Sequence, residues 1–324
     1  MRIALPPTID AAAFAARDPA AVMLDLGGET MGTRWSVRLA APAGTDLSSL
    51  RQAIVARLAG LVAEMSHWAP DSLLSRFNRS APGTWTTLPP DFAHVIARGL
   101  TIAETTRGAF DPAIGRLVDI WGFGPIAVAA PPSAPEIEIA RAASGWSRLS
   151  FSPAGAHLRQ PGGVALDLSG IAKGHAVDAI ADLARDAGIG NALVEIGGEL
   201  VGRGIKPDGD PWWVDLESPP GLTFPSLRIA LHGMAVATSG DYRRGAHTLD
   251  PRTGRPIDTG VVSASVIDQT ALEADAWATA LTVLGPVEGI DLARVHGIAA
   301  RLVTMIDGTA REYLTPALAA MLAG

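Results

Sequence analysis

Two stretches of this chain hold residues whose types and spacing suit chemistry. In ALEADAWATALTVLG, residues 271 to 285, Asp275 and Thr279 stand four apart in a run of helix formers, so one helix face carries both. A carboxylate and a hydroxyl side by side among Ala and Leu are hard-oxygen donors suited to magnesium or calcium. Glu273 in the same turn adds an acid beyond what capping needs. The plain structural reading is an acid favouring the helix dipole and a threonine bonding back to a carbonyl. In ALDLSGIAKGHAVD, residues 165 to 178, an apolar strand end leads through Asp167, Ser169 and Gly170 to Lys173 at the opening of a helix. Such a turn offers backbone N–H groups, a positive helix end and a lysine to phosphate oxygens. A capped helix entry is its structural alternative, and the GxxxxGK pattern of a phosphate-binding loop is absent.

Two other segments carry weaker signals. ATSGDYRRGAHTLDPRTGRPID, residues 237 to 258, crowds Ser239, Asp241, Arg243, His247 and Asp250 ahead of a Pro/Gly turn, giving donors for an anion and a candidate base. Ser239, His247 and an aspartate also suggest a hydrolase set, but no GxSxG elbow surrounds the serine. RGAFDPAIGRLVDIWGFGP, residues 107 to 125, spaces Phe110, Trp121 and Phe123 among glycines, and Trp68 stands in HWAPDSLLSRFN. Aromatic faces in loops fit a flat ring ligand or, equally, a core plug.

The elements that must position these residues follow from periodicity. Leu50, Ile54, Leu58, Leu61, Val62 and Met65 predict an amphipathic helix over 46 to 67, and helical spacing resumes over 91 to 107 and from about 173 to 187. Alternation predicts a strand at ETMGTRWSVRLA, residues 29 to 40, and further strands at 191 to 204, 211 to 217, 226 to 231 and 234 to 238. Without regular strand–helix alternation the class is α+β: a mainly antiparallel sheet with packed helices, in two intimately packed subdomains whose seam falls in the Pro-rich stretch 124 to 137. Residues 1 to 27, rich in Ala and Pro, are expected to be a poorly structured leader ahead of one domain over 28 to 324.

Composition removes whole classes of function. Of 324 residues 48% are hydrophobic and 18% charged, which is an ordinary globular balance. A net charge of -7 without a long basic run argues against nucleic acid. With no cysteine, thiolate metal sites, cysteine nucleophiles and a lipid-bearing cysteine are excluded, so any metal is held by oxygen or imidazole. Pro6, Pro7, Asp10, Arg17 and Asp18 interrupt what a secretory leader would need, and no run is long and apolar enough to span a membrane. A cytoplasmic location is the expectation.

Taken in order, MGTRWSV, HWAPDSLLSRFN, GAFDPAIGRLVDIWGF, LDLSGIAKGHAVD, VEIGGE, ATSGDY, HTLDPRTGRP and EADAWATAL resemble the ApbE family of FAD:protein FMN transferases, from about residue 29 to 285. The resemblance implies an Mg2+ held by Asp275, Thr279 and the backbone carbonyl of Gly170. It implies FAD, as substrate, in the cleft between the subdomains, contacted by Met31, Trp68, Ala109, Phe110, Asp111, Asp167 and Lys173, with Ser239, Gly240, Asp241 and His247 near the pyrophosphate. Lys173 and either His247 or Asp250 would be catalytic. Many members carry tyrosine where Trp68 stands, and many are exported or lipid-anchored. The activity implied is transfer of FMN to a Thr or Ser of a redox protein, often a membrane subunit, with release of AMP. An FAD pyrophosphatase and a non-catalytic FAD-binding protein are the alternatives.

Overall fold

A computed structural model describes residues 1–9, 11–240 and 247–323. The elements run β1 (Arg2–Ala4), α1 (Ala11–Ala15), β2 (Val22–Thr30), β3 (Thr33–Ala41), α2 (Ser48–Met65), α3 (Leu73–Arg79), β4 (Trp85–Thr87), α4 (Pro90–Thr105), α5 (Gly115–Trp121) and α6 (Ala134–Ala143). After these come β5 (Ser150–Ser152), β6 (His157–Arg159), α7 (Ala172–Asp186), β7 (Ala192–Ile196), β8 (Glu199–Arg203), β9 (Trp212–Leu216), β10 (Leu227–Leu231) and β11 (Met234–Ser239). The chain closes with β12 (Leu249–Asp250), β13 (Arg255–Pro256), β14 (Val261–Asp268), α8 (Ala271–His296), β15 (Ala299–Ile306), β16 (Thr309–Leu314) and α9 (Pro316–Ala323).

The frame is an eight-stranded sheet in the order β16-β15-β14-β11-β8-β7-β3-β2, with every neighbouring pair antiparallel. One face is covered by helices. Leu50, Ile54, Leu58, Leu61 and Met65 of α2 meet Val37 and Leu39 of β3, Val194 of β7 and Ile180 of α7 in the main core, and Ala276 and Ala280 of α8 join it. The other face packs on the small sheet β1-β10-β9 and on α9, where Trp212, Ile229 and Leu318 meet Val236 and Ile267. The α+β class with a mainly antiparallel sheet is therefore the observed architecture. Among the described residues no helix is long and apolar enough to cross a membrane.

Three local expectations need correction. Residues 1 to 27 are not a poorly structured leader: β1 pairs in parallel with β10, β2 begins at Val22, and Arg2 donates to both oxygens of Glu312 at 2.6 and 2.7 Å, beside the buried Arg301. The single strand expected over 29 to 40 is two, folded at Met31-Gly32. Both residues have positive φ, 48° and 69°, as a tight two-residue hairpin turn requires. Residues 165 to 168 are not a strand. They form an extended segment laid along residues 112 to 115, where Pro112 O accepts from Asp167 N–H and Ala165 O from Gly115 N–H.

Candidate functional site

The Met31-Gly32 turn hangs over the last turn of α2 and faces the entry to α7. Together they enclose a cleft of ≈ 690 Å³ lined by Met31, Leu61, Met65, His67, Trp68, Ser169 and Lys173 among others. The 66-to-72 loop that carries His67 and Trp68 is tied down by Ser72, whose hydroxyl donates to Ser66 O at 2.6 Å and caps α3 by accepting from Ser75 N–H. Trp68 is 60% exposed, with its ring tilted 45° against His67 at 5.4 Å. An exposed indole lining a mainly apolar cleft is a ready stacking face.

Behind the cleft, the first turns of α7 and α8 meet closely. A side chain on Gly174 would lie 2.1 Å from Ala271 O, so only glycine permits the approach. Through that approach Gly174 N–H donates to Asp275 Oδ2 at 3.1 Å, and Asp178 reaches across to accept from the N–H groups of Ala271 and Leu272 at 2.9 Å each. A Cβ on Gly170 would stand 2.7 Å from Thr279 Oγ1, which sets the Gly170 turn directly against that hydroxyl. The three residues expected to hold a metal therefore converge on one place.

Among the described residues charge there does not balance. Lys173 Nζ donates to Glu199 Oε1, while Glu199 Oε2 is buried and has no hydrogen-bond partner among them. Glu199 is only 3% exposed and Asp275 6%. Burial pushes the Glu199 carboxyl up to about 7, against the pull of the Lys173 ammonium and with added push from Asp275. Burial also raises Asp275, opposed by Lys173 and by the Gly174 N–H. Among the described residues two buried carboxylates share one ammonium, and such an excess is costly unless a further cation supplies the missing charge. The donors are a carboxylate, a hydroxyl and the backbone beside it, all hard oxygens; they fit a magnesium-like cation.

The sequence profile of the ApbE family matches residues 31–302. The chain belongs to the ApbE family. It is similar to the FAD:protein FMN transferases of Klebsiella pneumoniae, 34% identical over 319 residues and covering 94% of this chain and 91% of the relative, and of Vibrio cholerae, 35% identical over 304 residues and covering 90% and 91%. Among solved structures, the flavin transferase ApbE from Vibrio cholerae superposes with a TM-score of 0.87 at 34% identity, covering 93% of this chain and 99% of that one. The apo flavinyl transferase ApbE of Pseudomonas stutzeri gives 0.87 at 36% identity, covering 93% and 97%.

In this ApbE chain the remaining expected residues are distributed unevenly. Ala109 and Phe110 are core residues, 1% and 4% exposed. Asp111 is buried, accepts from the N–H groups of Ala113 at 2.8 Å and Trp146 at 3.1 Å, and is pushed up to about 6 by burial. Asp167 Oδ1 closes a turn on Ser169 N–H at 2.7 Å. Ser239 ends β11 and Gly240 follows it, whereas Asp241 and Arg243 lie outside the described residues. His247 precedes the short β12–β13 hairpin. Asp250 is engaged as a turn residue: its carboxylate accepts from Arg252 Nε at 3.0 Å, Arg252 Nη2 at 3.0 Å and Arg252 N–H at 2.9 Å.

Two readings of the residues fail. Glu273 does not join Asp275; it pairs with Arg98 on α4 at 2.7 Å, because residues two apart on a helix face apart. Trp121 and Phe123 fit the core-plug reading instead. They stack on each other at 6.3 Å, and Trp121 Nε1 donates to Gly254 O, plugging a separate small core.

Glu199, His67 and Asp178 escaped the reading of the residues. A signal for Glu199 existed: Gly197-Gly198 between two apolar runs marks a hairpin turn, and both have positive φ. That turn aims the following residue back toward the helices.

On the opposite face of α7 lies a second cavity of ≈ 520 Å³, lined by Arg57, Asp91, His175, Asp178, Arg203 and Glu273 among others. Here Arg57 donates to both oxygens of Asp91 at 2.6 and 2.7 Å, and His175 Nε2 lies 3.0 Å from Asp91 Oδ1.

Proposed function

We propose that the chain is an Mg2+-dependent FAD:protein FMN transferase that attaches FMN through a phosphoester bond to a Thr or Ser of a redox protein and releases AMP. The observation that carries this reading is the buried Lys173–Glu199–Asp275 group beside Gly170 and Thr279, at the floor of a cleft with an exposed indole at its mouth. The family and its similarly named relatives supply the rest.

The chemistry asks for alignment and charge control. The acceptor hydroxyl oxygen bonds to the FMN-side phosphorus of FAD, the bond from that phosphorus to the bridging oxygen breaks, and AMP leaves with that oxygen. Lys173 faces the pyrophosphate oxygens, and Glu199 holds the lysine in place. Asp275, Thr279 and the Gly170 carbonyl would hold Mg2+, which when bound neutralises charge developing on the pyrophosphate. His247 is the candidate to take the hydroxyl proton, since Asp250 is held by Arg252. Ser239, Gly240 and Asp241 are the segment assigned to the pyrophosphate end.

Incubation with FAD, Mg2+ and a flavin-accepting subunit is expected to give a fluorescent band that survives denaturing electrophoresis, and Asp275→Ala or chelation of Mg2+ should slow its formation more than about 100-fold. Full transfer by Asp275→Ala would displace the metal site. Release of FMN and AMP with no adduct would make the protein a pyrophosphatase instead.

A further inference from the structure

We propose that Asp178 is a positioning residue for the cation site: its carboxylate clamps the start of α8 against α7 and so fixes where Asp275 and Thr279 stand. The proposal rests on the reading that those two side chains and the Gly170 carbonyl hold Mg2+. Asp178 Oδ1 accepts from Ala271 N–H and Oδ2 from Leu272 N–H, at 2.9 Å each. Ala271, Asp275 and Thr279 follow one another at intervals of four, so the residue that Asp178 grips heads the helix row carrying both cation-facing side chains. In return, Asp275 Oδ2 accepts from Gly174 N–H of α7 at 3.1 Å. Each helix thus gives a carboxylate to first-turn N–H groups of the other, across backbones that only glycine lets so close.

Capping alone does not account for Asp178. The helix α8 has its own cap: Thr270 Oγ1 accepts from Glu273 N–H at 3.2 Å, and Thr270 O accepts from Ala274 N–H at 3.1 Å. A local cap satisfies one helix end. A carboxylate arriving from α7 also fixes the rotation and lateral position of α8 relative to the turn that bears Gly170 and Lys173. Groups that orient metal ligands without touching the metal govern affinity in this way. Mg2+ demands near-ideal octahedral geometry, whereas Ca2+ accepts longer and looser bonds, so a small displacement of Asp275 is felt by Mg2+ first.

The test titrates Mg2+ and Ca2+ calorimetrically into the FAD-free protein for the wild type, Asp178→Asn, Asp178→Glu and Thr270→Ala. It is run at pH 8, above the value of about 6 to which burial pushes the Asp178 carboxyl. Asp178→Asn sets an amide NH2 against one of the two N–H groups and should weaken Mg2+ binding about tenfold, with Ca2+ binding weakened clearly less. Asp178→Glu keeps the carboxylate on a longer arm that has the second cavity to occupy, and should recover part of the Mg2+ loss. Thr270→Ala should lower the thermal midpoint and leave both cation affinities at wild-type values. Wild-type Mg2+ affinity in Asp178→Asn, equal weakening of Mg2+ and Ca2+, or a Thr270→Ala loss as large as that of Asp178→Asn would overturn the proposal while the cation site stands. In the wild type alone, Mg2+ should slow amide exchange at Ala271 and Leu272 about tenfold, because the coupling between clamp and cation is reciprocal. Unchanged exchange refutes the proposal whether or not any variant folds. A wild type that binds neither cation removes the cation site itself, and this proposal with it.

Discussion

The two faces of α7 make a natural comparison. Toward the cleft, Lys173 stands between two buried carboxylates, and Glu199 Oε2 and His67 Nε2 have no hydrogen-bond partner among the described residues. Toward the second cavity the polar groups are closed on one another: Arg57 with Asp91, His175 with Asp91, Arg98 with Glu273, and Asp178 with two backbone N–H groups. One oxygen of Glu64, beside Arg57, is an exception. Both faces are rich in charge, and among the described residues the cleft side holds more of the buried groups without a hydrogen-bond partner. Buried polar groups cost stability unless satisfied, so incompleteness marks where a substrate or cation is expected, and closure marks where charge has been used to build.

The sharpest way to break this contrast is Glu199→Gln. It keeps the volume and removes a carboxyl that burial raises, so thermal unfolding should be unchanged or slightly higher, while adduct formation falls about 100-fold as Lys173 loses its charged partner. A variant that lost stability and kept activity would put Glu199 among the structural charges. A second effect is read from pH. The Asp178 carboxyl is pushed up to about 6 by burial, despite its two backbone bonds, from 3.8 in the unfolded chain. The folded state therefore binds the extra proton between these values, so this group's contribution is present below about 4 and is lost as pH rises through about 6. Urea midpoints should show Asp178→Asn flattening that part of the profile by about 3 kcal/mol at most; an unchanged slope would refute the assignment. The smallest expected effect is Asp91→Asn, which opens a partly exposed ion pair and should lower unfolding free energy by about 1 kcal/mol with transfer retained. Loss of transfer at unchanged stability would make the second cavity part of the working site.

Much of this was legible in the sequence, for physical reasons. The helices α2, α4 and α7 each present one apolar face to a core, so their 3.6-residue period survives in the residue order. Asp275 and Thr279 could be paired because helix geometry fixes neighbours four apart. The strands β14 and β15 were not legible: both faces of the sheet are covered there, Ala300 and Leu302 toward α8 and Ala299 toward the small sheet, which turns alternation into an unbroken apolar run. The β2–β3 turn was missed because Met-Gly lacks the Asn-Gly signature although it adopts the same φ signs. β1 pairs with a strand more than two hundred residues onward, and nothing local records that partnership. Glu199 was hidden because a buried acid on a strand reads as a solvent-facing one until its lysine is in place.

The contact at Gly174 has a consequence for how such a site can change over generations. Because the backbones of α7 and α8 touch there, the turn that carries Lys173 and the helix that carries Asp275 move as one joint. A substitution that widened the gap would shift the phosphate-facing lysine and the cation-facing carboxylate together. Drift in specificity is therefore channelled away from this joint and into the Met31 turn and the Trp68 loop, where side chains can be exchanged without reopening it.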